Sequence, residues 1–256
     1  MCLKYNKKRV VQYNMLQHVL TERTPFYLLG TIFLGVTITL SLISTFHTQK
    51  NGEDFFPLGG DYKGKYISDS SFVDKLCWYF SQLTHHTLFL MFFYFCMALL
   101  NIRSVKFFKI IAPLALTISV LYFYFLYPKQ SLKIHQLSFS NFFSHFMIIF
   151  LVFGELMYIK EYSFKETTNC LVFIITALLC VIINYFLRGV WSYNMIVLDS
   201  IKGWRLVSAS VILMYSFSVM FYLFKYDGAG TTSWTESGYF MSSMVNLVYA
   251  LWYTSR

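Results

Sequence analysis

The chain has 256 residues, of which 57% are hydrophobic, 21% aromatic and only 13% charged, with 21 Lys+Arg against 12 Asp+Glu for a net charge of +9. A soluble domain carries about 25% charged residues, and the mean hydropathy here is +0.53, so a disordered chain, a disulfide scaffold and an ordinary soluble enzyme are excluded. The basic residues are scattered between apolar runs and do not cluster on one face, which fits membrane headgroups and not nucleic acid.

The residues before the first apolar run are basic, with Lys4, Lys7, Lys8, Arg9 and Arg23, and Cys2 beside them is a candidate for acylation. The run that follows, at about 26–46 and bounded by Pro25, is too long for a signal-peptide core and reads as a retained anchor. A longer connection from Gln49 to Lys75 holds acidic and basic residues and the turn signal Pro57-Leu58-Gly59-Gly60. Further apolar runs lie at about 76–100, 107–127, 140–159, 168–188 and 204–225. Each is long enough to cross about 30 Å of hydrocarbon as a helix. Pro113 is compatible with a kinked membrane helix, because neighbouring helices can satisfy the freed carbonyl. An aromatic stretch at about 238–253 is short for a crossing and suits an interfacial helix. No internal repeat appears, so the expected fold is one all-α domain over 1–256, a polytopic membrane bundle of about six transmembrane helices.

With six crossings, the amino terminus, the second and fourth loops and the tail share one side and hold 12 basic residues against nine. That bias puts both termini in the cytosol, on an endomembrane or the plasma membrane. The five cysteines form no CxxC pair and read as packing thiols.

Polar side chains are costly in lipid, so their positions are the informative part of such a sequence. The run at 76–100 carries Ser81, Gln82, Thr84, His85, His86 and Thr87 in its first half. As one continuous helix it would place Ser81, Thr84, His85 and Leu88 on one face. His85 and His86, as neighbours, would point about 100° apart, so at least one is structural or interfacial. The run at 140–159 carries Ser144, His145 and Glu155, and the next ends at Asn184 and Arg188, followed by Trp191. Alternating topology brings the starts of the second and fourth runs and the end of the fifth to one leaflet.

Each element has a plain structural alternative. Membrane Ser and Thr usually bond the preceding turn, a lone His often bridges helices, and Trp191 fits an aromatic belt. Glu155 suits either a proton relay or a paired charge. The chemical reading of hydroxyl plus His is nucleophilic catalysis, because a hydroxyl needs a base within hydrogen-bond reach to take its proton. At lipid depth the pair would suit an ester arriving from the bilayer. The His spacings lack the HxxxH and HxxHH patterns of lipid di-iron enzymes, so no metal and no other cofactor is expected.

Tyr127-Pro128-Lys129, with His145 sixteen residues after the Lys and Glu155 ten after the His, resembles the androgen-induced protein family of multi-pass membrane threonine hydrolases. Gly189-Val190-Trp191-Ser192-Tyr193 is similar to that family's Gly-x-Trp-x-Tyr-Pro, with Asn194 in place of Pro. Trp78-Tyr79-Phe80-Ser81 resembles its aromatic segment ending at the nucleophilic Thr. The resemblance covers about 76–225 and implies cleavage of fatty acid esters of hydroxy fatty acids, with His145 as base. Ser81 is the nucleophile if Trp78 anchors the match, and Thr84 if the following Phe-rich stretch does. Two features depart from the pattern: the long loop precedes the second run, and the family's second His is Phe142 here. Gln82, Asn184 and Arg188 are then candidate oxyanion donors, Arg188 alternatively a carboxylate holder, and His85 and Trp191 candidate lining residues. Acyl transfer to an alcohol would use the same residues, and a non-catalytic lipid-binding or transport protein would use the same cavity.

Overall fold

The computed structural model describes residues 3–46, 72–123, 139–159, 169–188, 191, 198–226 and 242. Every regular element among them is a helix: α1 (Leu3–Phe46), α2 (Phe72–Phe80), α3 (Leu83–Leu99), α4 (Val105–Leu121), α5 (Phe139–Met157), α6 (Cys170–Arg188) and α7 (Ile201–Tyr226). Among the described residues three segments are long and apolar enough to cross a membrane, Arg23–Ile43, Cys170–Leu187 and Ile201–Leu223, and Leu83–Leu99 and Ser144–Met157 are shorter apolar helices. Residues 49–71 of the Gln49–Lys75 connection, the 238–253 stretch apart from 242, and Tyr127-Pro128-Lys129 lie outside the described residues, and the last four residues of the connection already belong to α2.

Position, not hydrophobicity, distinguishes the two faces of α1. Tyr27, Leu34, Thr37 and Ile38 are buried at helical spacing, while Leu28, Leu29, Ile32, Val36 and Ile43 point outward and are equally apolar. An apolar outer face is what lipid solvates, so the burial stripe and the composition decouple. α1 packs mainly on α3 and α5. A Cβ on Gly30 would run into the Phe95 ring, and one on Gly154 would come within 2.7 Å of Phe26. These two glycines set how closely the helices approach, the usual role of small residues where lipid supplies no hydrophobic drive. α4 is the hub: residues 111–119 are all buried, and the helix contacts α3, α5, α6 and α7.

Two boundaries differ from the sequence expectation. Pro25 does not begin α1 but lies inside it. It sits at the edge of the apolar segment, where the one carbonyl it frees is within reach of headgroups and water. The run at 76–100 is not one helix. It breaks at Ser81-Gln82, with Gln82 extended at φ −96° and ψ 123°. The first turn of α3 supplies the physical reason. His85 Nδ1 lies 2.7 Å from the Tyr79 carbonyl and His86 Nε2 lies 2.5 Å from the Phe80 carbonyl. Two imidazoles therefore take the last carbonyls of α2, which a continuous helix would have needed as acceptors.

Helix ends elsewhere follow local capping chemistry. α3 closes with Ile102 N–H to the Met97 carbonyl (2.8 Å) and Asn101 N–H to the Ala98 carbonyl (3.1 Å), and Asn101 sits at φ 65°. This is the paired closure that a left-handed residue allows, and Asn tolerates that conformation. Ser104 then accepts from the Phe107 amide to start α4, and Ser200 accepts from the Gly203 amide to start α7.

Candidate functional site

Buried polarity gathers at two ends of the bundle, about 15 Å apart along α5 as judged from the ten residues between His145 and Glu155. One end holds the finish of α1, the α2–α3 break and the starts of α3 and α5. The other holds the start of the α1 crossing, the finish of α3 and the finish of α5.

At the first end, His85 is joined to three groups on two helices. Its Nδ1 faces the Tyr79 carbonyl at 2.7 Å, its Nε2 lies 3.1 Å from Ser41 Oγ, and its ring stacks on the Tyr79 ring at 3.6 Å and 10°. The Tyr79 hydroxyl is itself 3.1 Å from Ser41 Oγ. A carbonyl only accepts, so the proton of neutral His85 is on Nδ1 and Nε2 is bare. Ser41 Oγ lies within hydrogen-bond reach of both this bare nitrogen and the Tyr79 hydroxyl, and its single proton can be donated to either. Ser41 is half-buried on the last turns of α1, next in the chain to exposed Leu40.

His145 is buried at 4% exposure, and its ring lies flat on Tyr122, the residue that follows α4, at 3.8 Å and 5°. Its Nδ1 has no hydrogen-bond partner among the described residues. The two buried imidazoles, His85 and His145, are within electrostatic range of each other.

The remaining sequence candidates are distributed around this pair. Ser81 is buried inside the break, so it does not share a helical face with Thr84, His85 and Leu88. Thr84 is half-buried in the first turn of α3. Gln82 serves through its backbone, with its amide on the Tyr79 carbonyl and its own carbonyl receiving the His85 and His86 amides. Asn184 is buried on α6, which packs against α2 and α3. Arg188 ends α6, and its side chain lies outside the described residues. Trp191 stacks on Tyr185 of α6 at 4.1 Å and 13°, in keeping with an aromatic belt at a helix end.

Sequence reading passed over Ser41 and Tyr79. Ser41 stands in an apolar run rich in Ser and Thr, several of which bond their own helix, as Thr37 does to the Phe33 carbonyl and Thr39 to the Gly35 carbonyl. Nothing local marks Ser41 as the one that reaches another helix. The usable signal was the polar start of the next run, whose imidazoles need acceptors and donors from somewhere.

At the opposite end, Glu155 is fully buried and one of its oxygens collects every donor. Oε1 accepts from Arg103 Nε at 2.7 Å, from the Tyr94 hydroxyl in a short bond, and from the Tyr27 hydroxyl at 3.4 Å. Arg103 Nη2 also approaches Oε1 at 2.6 Å, off the axis of a hydrogen bond, so Nε carries the bond and Nη2 adds charge. Glu155 is thus a paired charge. Arg103 reaches it because the turn at Asn101 reverses the chain two residues earlier. Nearby, Arg23 lies over the Tyr158 ring at 4.4 Å.

Among the described residues no three His, Cys, Asp or Glu side chains gather as a metal ion would require, and no metal ligands are assigned. No protein-family model matches the chain, and neither does a curated protein or a solved structure.

Proposed function

We propose that this chain is a multi-pass membrane enzyme that hydrolyses a lipid ester with a hydroxyl nucleophile and a histidine base. The observation that carries the reading is the hydrogen bond between a partly open serine and a buried, oriented imidazole in an apolar bundle, Ser41 to His85 at 3.1 Å. A base within reach of a hydroxyl and held by a third group is the arrangement that activates a weak nucleophile. A second buried imidazole, His145, stands nearby with Nδ1 available among the described residues. The sequence resemblance to membrane threonine hydrolases points to the same chemistry and to esters of fatty acids with hydroxy fatty acids as the substrate class. With about six crossings and cytosolic termini, the histidine end would face away from the cytosol, and substrate would enter laterally from that leaflet.

The test is release of free fatty acid from such an ester by the purified protein in liposomes. Turnover by the wild-type chain, lost in the His85→Ala/His145→Ala double variant, is the expected result. Absence of both turnover and phosphonylation by an activated fluorophosphonate, in protein that elutes as a folded species, would sink the enzyme reading. The broken helix α2–α3 would then favour a binding or transport protein, since interrupted membrane helices commonly line such sites.

A further inference from the structure

We infer that Ser41 on α1 is the nucleophile and His85 on α3 its base, with Tyr79 as the residue that positions both. This assignment rests on the ester-hydrolase reading and departs from Ser81 and Thr84, the hydroxyls to which the sequence resemblance points.

The proton positions follow from the acceptors. The Tyr79 carbonyl fixes His85 in the Nδ1–H tautomer, which leaves Nε2 as the lone pair facing Ser41 Oγ. The carbonyl does for this imidazole what a carboxylate does in a three-residue triad: it fixes tautomer and ring orientation. Flat stacking of the Tyr79 ring on His85 removes the remaining freedom of rotation. Exposure agrees with the division of labour, because His85 is buried at 8% while Ser41 is half-buried at the lipid-facing edge of α1. An ester arriving from the bilayer meets the hydroxyl first and leaves the base dry.

The reaction balances on these groups. Ser41 Oγ bonds to the ester carbonyl carbon as its proton passes to His85 Nε2. The tetrahedral adduct then expels the alcohol, which takes that proton, and an acyl-Ser41 remains. Water attacks the acyl carbon, yields a proton to Nε2, and the acid leaves as the proton returns to Oγ. The Tyr79 hydroxyl, within 3.1 Å of Oγ, is free to turn to the carbonyl oxygen once Oγ has become an ester oxygen. There it would meet the developing negative charge.

A fluorophosphonate probe reads the nucleophile directly, because Oγ displaces fluoride and stays covalently marked. The full-length protein is labelled in detergent, digested and mapped by mass spectrometry, which needs no variant to fold. The phosphonate is expected on Ser41, and His85→Gln, checked for monodisperse elution, should label at least about 10²-fold more slowly. Phosphonate on Ser81 or Thr84 with Ser41 unmodified overturns this assignment and leaves the hydrolase reading standing. A folded wild-type protein that takes no label anywhere overturns both.

Discussion

The two ends of the bundle bury polar groups in opposite styles. At the Glu155 end a full negative charge is matched by a full positive charge, and Tyr27 and Tyr94 add their hydroxyls to the same oxygen. Three helices and the α3–α4 turn are pinned to one atom. At the His85 end the described partners are hydroxyls, carbonyls and imidazoles, and each bond joins a group that can give up its proton to one that can take it. The first arrangement has nothing to exchange and is built to hold. The second is held only as firmly as a proton transfer permits. Breaking the first should therefore cost stability, and breaking the second should cost turnover.

The largest effect expected is on turnover. His85→Ala removes the proposed base and should lower ester cleavage by about 10² to 10⁴-fold, roughly what general base catalysis contributes. The stability loss should stay near that of one or two ordinary hydrogen bonds, about 1–2 kcal/mol. Enzyme assay beside thermal unfolding in the same detergent measures both. A variant that unfolds at a much lower temperature would show His85 to be mainly a clamp between α2 and α3.

Next is Glu155→Ala, which strands the Arg103 guanidinium and two tyrosine hydroxyls. Removing one partner of a buried pair costs about 3–5 kcal/mol, and the low end applies because the Arg103 side chain is 22% exposed. In Glu155→Gln/Arg103→Gln, which removes both charges, part of that loss should return. Phosphonate labelling per folded molecule should be unchanged in both variants. A selective loss of labelling in folded Glu155→Ala would couple the two ends and break the contrast between them.

How far the sequence disclosed this arrangement depends on whether a feature is local. The helical membrane architecture was legible because apolar runs of crossing length admit few alternatives, and His85, His145 and Glu155 stood out because polar groups are expensive in lipid. The break at Ser81-Gln82 was not legible, since the run at 76–100 remains apolar enough on either side to pass as one helix. Its cause is two side-chain bonds to Tyr79 and Phe80, which periodicity does not register. Ser41 was hidden for a related reason: a helical serine's usual acceptor is four residues back, and only the packing of α1 on α2 and α3 supplies another. Glu155 resolved into a paired charge once the turn at Asn101 brought Arg103 to it, a long-range consequence of one left-handed residue.

Tyr79→Phe separates position from chemistry within a single residue. It keeps the carbonyl that orients His85 and the ring that stacks on it, and removes only the hydroxyl 3.1 Å from Ser41. Loss of one donor to a developing oxyanion typically costs about 10²-fold or more in rate. A smaller drop, about tenfold, is expected here because this hydroxyl must first release Ser41. Labelling should still fall on Ser41. An unchanged rate would reduce Tyr79 to its positioning role.

The smallest effect is assigned to His86, and it is the sharpest control on the imidazoles. His86 neighbours His85 in sequence and makes the same kind of bond, Nε2 to the Phe80 carbonyl, one residue along α2. It differs in being half-buried, with its acceptor on exposed Phe80, so that in His86→Ala the released carbonyl can find water or a headgroup. The expected cost is about 1 kcal/mol or less, that of an exposed cap, with turnover and labelling unchanged. If His86→Ala abolished turnover and labelling as fully as His85→Ala, the decisive quantity would be the geometry of the α2–α3 break as a whole. The bond from Ser41 to one imidazole would then be a consequence of that geometry and not the source of the activity.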